Sequence, residues 1–200
     1  MLTPARSNRP ITITQALLVF IAGLAIGTGL AQDTVEREGY FEVRTAETEI
    51  FDGVHTLDAR LQLVLSSEAL AALESGVTLT IELQMQVIRE RRWLLDDTVA
   101  ELAVRYELEY RPLRERYVVK NLNSGEQDSF ATLYSALNSL GRVQGLPIID
   151  DALLQPGRDY RIRLRAMLNT EQYPATLRLL FFWRGQWQLQ SEWFEWSLER

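Results

Sequence analysis

The sequence has no cysteine and only one histidine among its 200 residues. The lack of cysteine excludes a disulfide framework, a thiolate metal site and a lipid-modified cysteine behind the leader. A His-rich zinc site is impossible with a single histidine, and any Ser–His mechanism would have to use His55. Because His55 adjoins a predicted turn and has no evident partner set, we interpret it as a residue at the rim of a hairpin. The sequence thus predicts no catalytic residue, no metal and no cofactor.

Basic residues are outnumbered by acidic ones. The chain has 21 basic and 27 acidic residues, a net charge of −6. Residues 1–31 contain two arginines and no acid, so the rest of the chain is more acidic still. A net-acidic domain is a poor candidate for binding nucleic acid, and we expect none.

The N-terminal segment has the pattern of an export signal. Arg6 and Arg9 precede a largely apolar stretch, Ile11–Leu30, and small residues up to Ala31 suit cleavage. The stretch is about 20 residues long, so an uncleaved membrane anchor is the alternative. Both interpretations place the rest of the chain outside the inner membrane. The predicted segments are a signal peptide or N-terminal membrane anchor (1–31), a linker (32–39) and a single β-rich periplasmic domain (40–200).

Two long alternating runs, Val77–Val87 and Ala100–Tyr110, predict the centre of the fold. Apolar residues occupy every second position in both runs. A period of two is typical of a β-strand with one buried and one solvent-facing side. The two strands should pair as an antiparallel hairpin. Ile81 and Val104 should then lie in the core, while Thr80 should face solvent.

Further alternation and turn signals complete a β-rich domain. The Asp52-Gly53 turn predicts a hairpin of Tyr40–Phe51 with Val54–Leu65. We predict a mainly β fold, an antiparallel β-sandwich or flattened barrel of about eight strands with two short helices. The other predicted elements are a helix at Glu68–Ser75, a strand at Arg114–Leu122, a helix capped by Asp128 or Ser129 with an apolar stripe from Phe130 through Tyr134 to Leu140, an apolar stretch at Leu146–Leu154 that covers an open edge or end of the sheet, a strand at Tyr160–Leu168, and a hairpin of Leu177–Trp183 with Gln186–Leu198.

The connection between the two central strands is rich in charge. It carries Arg91, Arg92 and Trp93, followed by Asp96 and Asp97. The guanidinium groups could fork onto the carboxylates or phosphate of a partner. The alternative is that the two aspartates neutralise the arginines within the hairpin, since exposed ion pairs are common and individually weak.

A second set of arginines alternates along the Tyr160–Leu168 strand. Arg161, Arg163 and Arg165 share its outward face and could form an anion-binding stripe. The alternative pairs them with the outward glutamates of the Ala100–Tyr110 strand, if the two strands are neighbours.

The C-terminal hairpin concentrates aromatic residues. Such density can build a sugar platform, a partner surface or simply a core. Tryptophan and arginine most often dominate interface energy. We therefore combine this hairpin with the connection that carries Arg91, Arg92 and Trp93, here called the arginine turn, as a candidate recognition surface. Its residues are Arg91, Arg92, Trp93, Trp183, Trp187, Trp193 and Trp196.

Three separated motifs, Arg91–Asp97, Asn121–Gln127 and Ser191–Trp196, give the chain a family resemblance. It resembles an uncharacterised family of exported proteins from Gram-negative bacteria, over residues 40–198. Some members are labelled proline-rich signal peptide proteins. The family has no assigned activity or catalytic residues, and its genes often stand beside one for a membrane sensor kinase. The resemblance therefore implies a partner-binding role.

We expect a non-catalytic binding or interaction module of the bacterial cell envelope. Its partner should be an envelope protein, with a membrane sensor kinase as one candidate, and it should touch the membrane only through an uncleaved N-terminal segment. The oligomeric state stays open. One alternative is a carrier of an apolar ligand held between the sheets. The other is a hydrolase of envelope glycans using two carboxylates, drawn from Asp96, Asp97, Asp150 and Asp151.

Export can be tested with a reporter. An alkaline phosphatase fusion after Arg200 should be active, because the leader and its charge asymmetry direct the body of the chain across the inner membrane. A silent fusion, together with a working cytoplasmic reporter at the same position, would show that the body stays inside.

Overall fold

The computed structural model describes residues 37–91, 95–169 and 189–199. All of them belong to one unit, Glu36–Arg200. The predicted leader, most of the linker, Arg92, Trp93 and the first half of the C-terminal hairpin with Trp183 and Trp187 lie outside the described residues. Among the helices of the described ranges, none has the length and apolarity to cross a bilayer.

The described part of the chain contains nine β-strands and two α-helices, which confirms the mainly β prediction. Short 3₁₀ helices at Pro112–Arg114 and Asp151–Leu153 follow the fourth and seventh strands. In chain order the elements are β1 (Tyr40–Phe51), β2 (Val54–Val64), α1 (Ser67–Glu74), β3 (Leu79–Arg89), β4 (Asp97–Arg111), β5 (Arg116–Asn121), β6 (Gln127–Phe130), α2 (Leu133–Leu140), β7 (Arg142–Asp150), β8 (Tyr160–Asn169) and β9 (Phe194–Ser197).

The strands form two antiparallel sheets. One has the order β1-β2-β7 and the other β6-β5-β4-β3-β8-β9. Apolar side chains from both sheets, among them Leu57, Ile81 and Leu164, join in a single core cluster. The indole N–H of Trp196 on β9 also donates to Thr48 Oγ1 on β1 at 3.2 Å, which links the two sheets. In the described residues the sheets are stacked layers and do not close into a barrel.

The predicted hairpins and their turns are confirmed at the centre and at the start of the domain. β3 pairs antiparallel with β4 on one side and with β8 on the other. Its inward side chains, such as Ile81 and Leu83, are almost completely buried. β1 and β2 turn at Asp52 and Gly53, whose φ angles of 50° and 78° are those that a two-residue hairpin requires.

The prediction that Thr80 faces solvent is wrong. Thr80 and Glu82, on the outward face of β3, are each only 3% exposed. The register places Thr80 between Glu107 of β4 and Asn169 of β8. Because β3 lies inside a six-stranded sheet, side chains of both neighbouring strands reach this end of its polar face, as Arg105 and Asn169 do by bonding Glu82.

Two local predictions around α2 are also wrong. Residues 127–130 pair with β5 as a strand, so the cap is neither Asp128 nor Ser129, and Thr132 Oγ1 instead accepts from the N–H of Ser135 at 3.1 Å. Pairing of residues 127–130 with β5 outweighed the local capping signal. Tyr134, placed in the apolar stripe, is 79% exposed, whereas Leu137 and Leu140 of the same stripe are buried. The prediction that Leu146–Leu154 covers an open edge of the sheet is confirmed, because the part up to Asp150 belongs to β7, which pairs along the edge of β2.

Core packing can be tested on β3. Ile81→Ala should lower the free energy of unfolding by about 2–5 kcal/mol, because it opens a cavity where both sheets meet. Thr98→Ala, at an exposed position of β4, should change it by no more than about 0.5 kcal/mol. Denaturant titration followed by circular dichroism measures both. Equal losses would contradict this position of the core.

Candidate functional site

Three arginines on the outward face of β8 and the tryptophan before β9 form a cluster. We call it the Arg–Trp face, and its residues are Arg161, Arg163, Arg165 and Trp193. Strand alternation produces it: Ile162 and its neighbours at even positions point into the core, so the arginines at odd positions point away from it. The predicted sharing of one face by the three arginines is thereby confirmed.

Trp193 lies between two guanidinium groups. The Cζ atom of Arg163 is 4.5 Å from the centre of its ring and that of Arg165 is 4.4 Å away. Both distances lie within the range of cation–π attraction, which holds the cations against the ring. The ring is only partly buried, so this arrangement stays accessible at the surface.

Two glutamines of β3 fix the orientation of these arginines. Arg163 Nε donates to Gln86 Oε1 at 2.7 Å and Arg165 Nε donates to Gln84 Oε1 at 2.8 Å. The alternative that paired the arginines with glutamates of β4 is wrong, because β3 lies between β8 and β4. Neutral amides occupy the positions where carboxylates were expected, so these contacts leave the positive charge uncompensated.

The number of carboxylates close to each arginine of the Arg–Trp face decreases from Arg161 to Arg165. Arg161 has three carboxylates within reach, those of Asp96 at 2.6 Å, Glu195 at 3.5 Å and Glu90 at 3.9 Å. Among the described carboxylates, Arg163 has only that of Glu195 within reach, at 4.0 Å. Arg165 has none within 4.0 Å in the part of the chain that the structure describes. The face is therefore most electropositive at Arg165.

The arginine turn is joined to this face through Asp96. Its carboxylate accepts from Arg161 Nη2 at 2.6 Å and from the backbone N–H of Arg91 at 3.3 Å. From Arg161 the contacts continue through Glu195 to Arg163, which lies on the ring of Trp193.

Asp97 forms ion pairs with arginines of the same hairpin. It accepts from Arg89 and from Arg91 Nη2, the latter at 2.5 Å. The hydrogen bond from Arg89, followed by the charges of both arginines, outweighs desolvation and holds the pKa of Asp97 below its ordinary value. Neutralisation within the hairpin is therefore confirmed for Arg91, although its side chain stays exposed.

The other candidate tryptophan in the described residues faces inward. Trp196 lies opposite Ile162 in the β8–β9 register, packs against the core and bonds Thr48. This contact gives Trp196 a structural role, and its part in recognition stays a prediction.

The sequence reasoning missed a buried pair, His55 and Asp151. His55 is 1% exposed, so its interpretation as a rim residue is wrong. Its Nε2 lies 3.0 Å from Asp151 Oδ1, and the N–H of Asp151 donates to Gly53 O at 2.9 Å. The pair ties the β1–β2 turn to the 3₁₀ helix after β7. The partners are 96 positions apart in the sequence, so no local signal could have identified the pair.

Each of the four acids considered for a hydrolase accepts a hydrogen bond from the protein itself. Asp96 and Asp97 bind arginines, and Asp151 binds His55. Asp150 Oδ1 accepts from the N–H of Ala152 at 2.8 Å, which starts the 3₁₀ helix. These contacts are those of structural carboxylates.

Glu82 is the most buried carboxylate of the outward face. Its oxygens accept from Arg105 Nε at 2.8 Å, from Gln84 Nε2 at 2.6 Å and from Asn169 Nδ2 at 2.9 Å. Burial alone would raise the pKa of this carboxyl, but the three hydrogen bonds and the charge of Arg105 outweigh it and hold the pKa below the ordinary value of 4.5. The network joins β4, β3 and β8 beside the Arg–Trp face.

Comparison with known proteins adds a family without an assigned activity. A family model described as a domain of unknown function (DUF4390) matches residues 39–197. No curated protein and no solved structure matches the chain. Within the described ranges, no group of three or more His, Asp or Glu side chains could hold a metal ion.

The Glu82 network predicts a pH-dependent contribution to stability. A carboxyl whose folded-state pKa is lowered stabilises the fold above its unfolded pKa, and this contribution is lost as pH falls through the folded-state pKa. Glu82→Gln should therefore melt at a lower temperature than wild type at neutral pH, and the gap should narrow below about pH 4.5.

Melting curves between about pH 3 and pH 7 measure this gap. Glu49→Gln, at an exposed position of β1, is the matched control and should follow wild type. A gap that keeps its size down to the lowest pH would contradict a charged, hydrogen-bonded Glu82.

Proposed function

We propose that this chain, which belongs to the family described as a domain of unknown function (DUF4390), is a non-catalytic binding module of the bacterial cell envelope that recognises an acidic segment of a protein partner. The observation that carries the proposal is the position of Trp193 between the guanidinium groups of Arg163 and Arg165. Arginine and tryptophan are the residues that most often dominate interface energy.

Arg165 is the centre of the proposed surface. Its Nε is committed to Gln84, and it has no carboxylate partner among the described residues. The edge carrying its Nη groups can therefore fork onto a carboxylate of the partner with two parallel hydrogen bonds. Because Gln84 and Trp193 already hold the guanidinium in place, binding loses little side-chain entropy.

The surrounding charges indicate where the acidic group binds. Asp96, Glu90 and Glu195 gather around Arg161 and would repel a carboxylate there. The partner's acid should therefore contact the Arg165 end, while apolar parts of the partner pack on the exposed portion of Trp193. Since the chain as a whole is net acidic, attraction of the partner is local rather than long-range.

The export signal expected at the N-terminus supports an envelope location for this binding. The resemblance described above supports an extracytoplasmic segment of a membrane sensor kinase as the first partner to test. The hydrolase alternative has less support, because all four of its candidate acids accept hydrogen bonds within the protein.

The proposal is tested by quantitative cross-linking and capture with the tagged full chain. Arg165→Gln should reduce capture of its partner by about tenfold or more, corresponding to about 1.4 kcal/mol, because it removes the forked contact. The melting temperature should stay close to that of wild type, since Arg165 binds only a neutral amide and an accessible ring.

Arg158→Gln is the matched control, because Arg158 is exposed in the loop before β8. It should capture the partner as wild type does. A species captured equally by wild type, Arg158→Gln and Arg165→Gln would count against the Arg–Trp face as the recognition surface.

A further inference from the structure

Two arginines lie directly opposite each other on the three-stranded sheet. Arg60 of β2 and Arg142 of β7 are partners in the antiparallel register. Side chains at such positions start about 4.5–5.5 Å apart, and like charges there destabilise a sheet. Among the described residues, neither guanidinium has a carboxylate within 4.0 Å or a hydrogen-bond partner. This fold therefore carries an uncompensated electrostatic cost at an exposed position.

Both arginines line a surface groove of about 310 Å³ beside α2. Its lining includes a third arginine, Arg44, but no carboxylate. Arg44 is compensated by Glu42 at 2.8 Å, so the uncompensated charge of the groove comes from Arg60 and Arg142. A smaller cleft on the other side of the two arginines contains Glu47 and Asp58, which directs any anion to the α2 side.

A close backbone contact creates the groove. The carbonyl of Gly141, at the end of α2, accepts from the N–H of Leu61 at 2.7 Å. A Cβ at position 141 would lie 2.3 Å from Leu61 O, so only glycine permits this approach. The contact brings the helix against β2 and leaves the groove between the helix and the strand, with Arg142 immediately after the turn.

One wall of the groove is apolar. Leu61, Leu63 and Leu137 line it but are only 6% to 9% exposed, so the accessible apolar surface is mainly the ring of Tyr134, which is 79% exposed at the edge of the groove. The volume is at the lower end of the range for ligand sites. Cationic and apolar surfaces therefore meet in one cavity that is large enough for a small molecule.

We propose that this groove binds an anionic amphiphile, with its phosphate or carboxylate head on Arg60 and Arg142 and its apolar chain against the exposed ring of Tyr134, above the mostly buried Leu63 and Leu137. Guanidinium groups bind such heads through forked hydrogen bonds, and an anion between the two arginines removes their mutual repulsion. The site is on the other sheet from the Arg–Trp face and is independent of the function proposed for that face.

Calorimetric titration of the full chain with dodecyl phosphate, below its micelle concentration, tests this site. Inorganic phosphate supplies the head alone, and dodecyl maltoside, also used below its micelle concentration, supplies the same apolar chain with a neutral head. Dodecyl phosphate should bind with a dissociation constant about tenfold or more below that of either, since only it engages both surfaces. Dodecanoate, which has the same chain and a carboxylate head, then distinguishes the two kinds of head.

The double variant Arg60→Gln/Arg142→Gln should raise the dissociation constant of dodecyl phosphate about tenfold or more. The matched control Arg114→Gln/Arg158→Gln removes two exposed arginines elsewhere and should bind as wild type does. All variants share the same N-terminal segment, so any amphiphile held there contributes equally.

A second readout needs no ligand. Because Arg142 faces a like charge, Arg142→Gln should leave the melting temperature unchanged or raise it. The inference is overturned if this variant melts several degrees lower, which would make the guanidinium a structural group. It is also overturned if inorganic phosphate binds as tightly as dodecyl phosphate, or if the double variant keeps wild-type affinity.

Discussion

The rest of this structure depends on the enclosure of β3 between β4 and β8. One face of the strand supplies the apolar side chains that meet the opposing sheet, and Ile81 lies at its centre. The other face is polar, and its position inside the sheet requires each side chain to find a partner on a neighbouring strand. Glu82 binds Arg105 and Asn169, while Gln84 and Gln86 bind the arginines of β8. The proposed recognition surface follows from this requirement.

The chemistry of each partner on β3 determines how much charge is left for binding. A carboxylate at position 82 neutralises the arginine that it holds, whereas the amides at positions 84 and 86 orient arginines without neutralising them. The ring of Trp193 adds attraction without an opposing charge. Oriented guanidinium groups with uncompensated charge are what recognition of an acidic segment needs. Arg60 and Arg142 on the other sheet also carry uncompensated charge, but no side chain among the described residues orients them.

Local sequence patterns were sufficient to predict the elements that depend only on strand alternation or on a single turn motif. Alternation located β3, β4 and β8, and the Asp52-Gly53 turn located the first hairpin. Strand order has no local signal, so the partners of Arg163 were assigned to the wrong strand and the burial of Thr80 was not foreseen. The contact of His55 with Asp151 could not be predicted for the same reason, since it exists only after β7 joins β2. The candidate site was predicted by residue type, but its geometry depends on contacts between distant segments.

The central claim is that the partner covers the Arg–Trp face. Hydroxyl-radical footprinting of the full chain, alone and cross-linked to its captured partner, tests it most directly because tryptophan side chains are readily oxidised. The account predicts that Trp193 loses reactivity in the complex, while Tyr134, exposed beside the other sheet, does not. Unchanged oxidation of Trp193 together with protection of residues on β1 or β7 would contradict it.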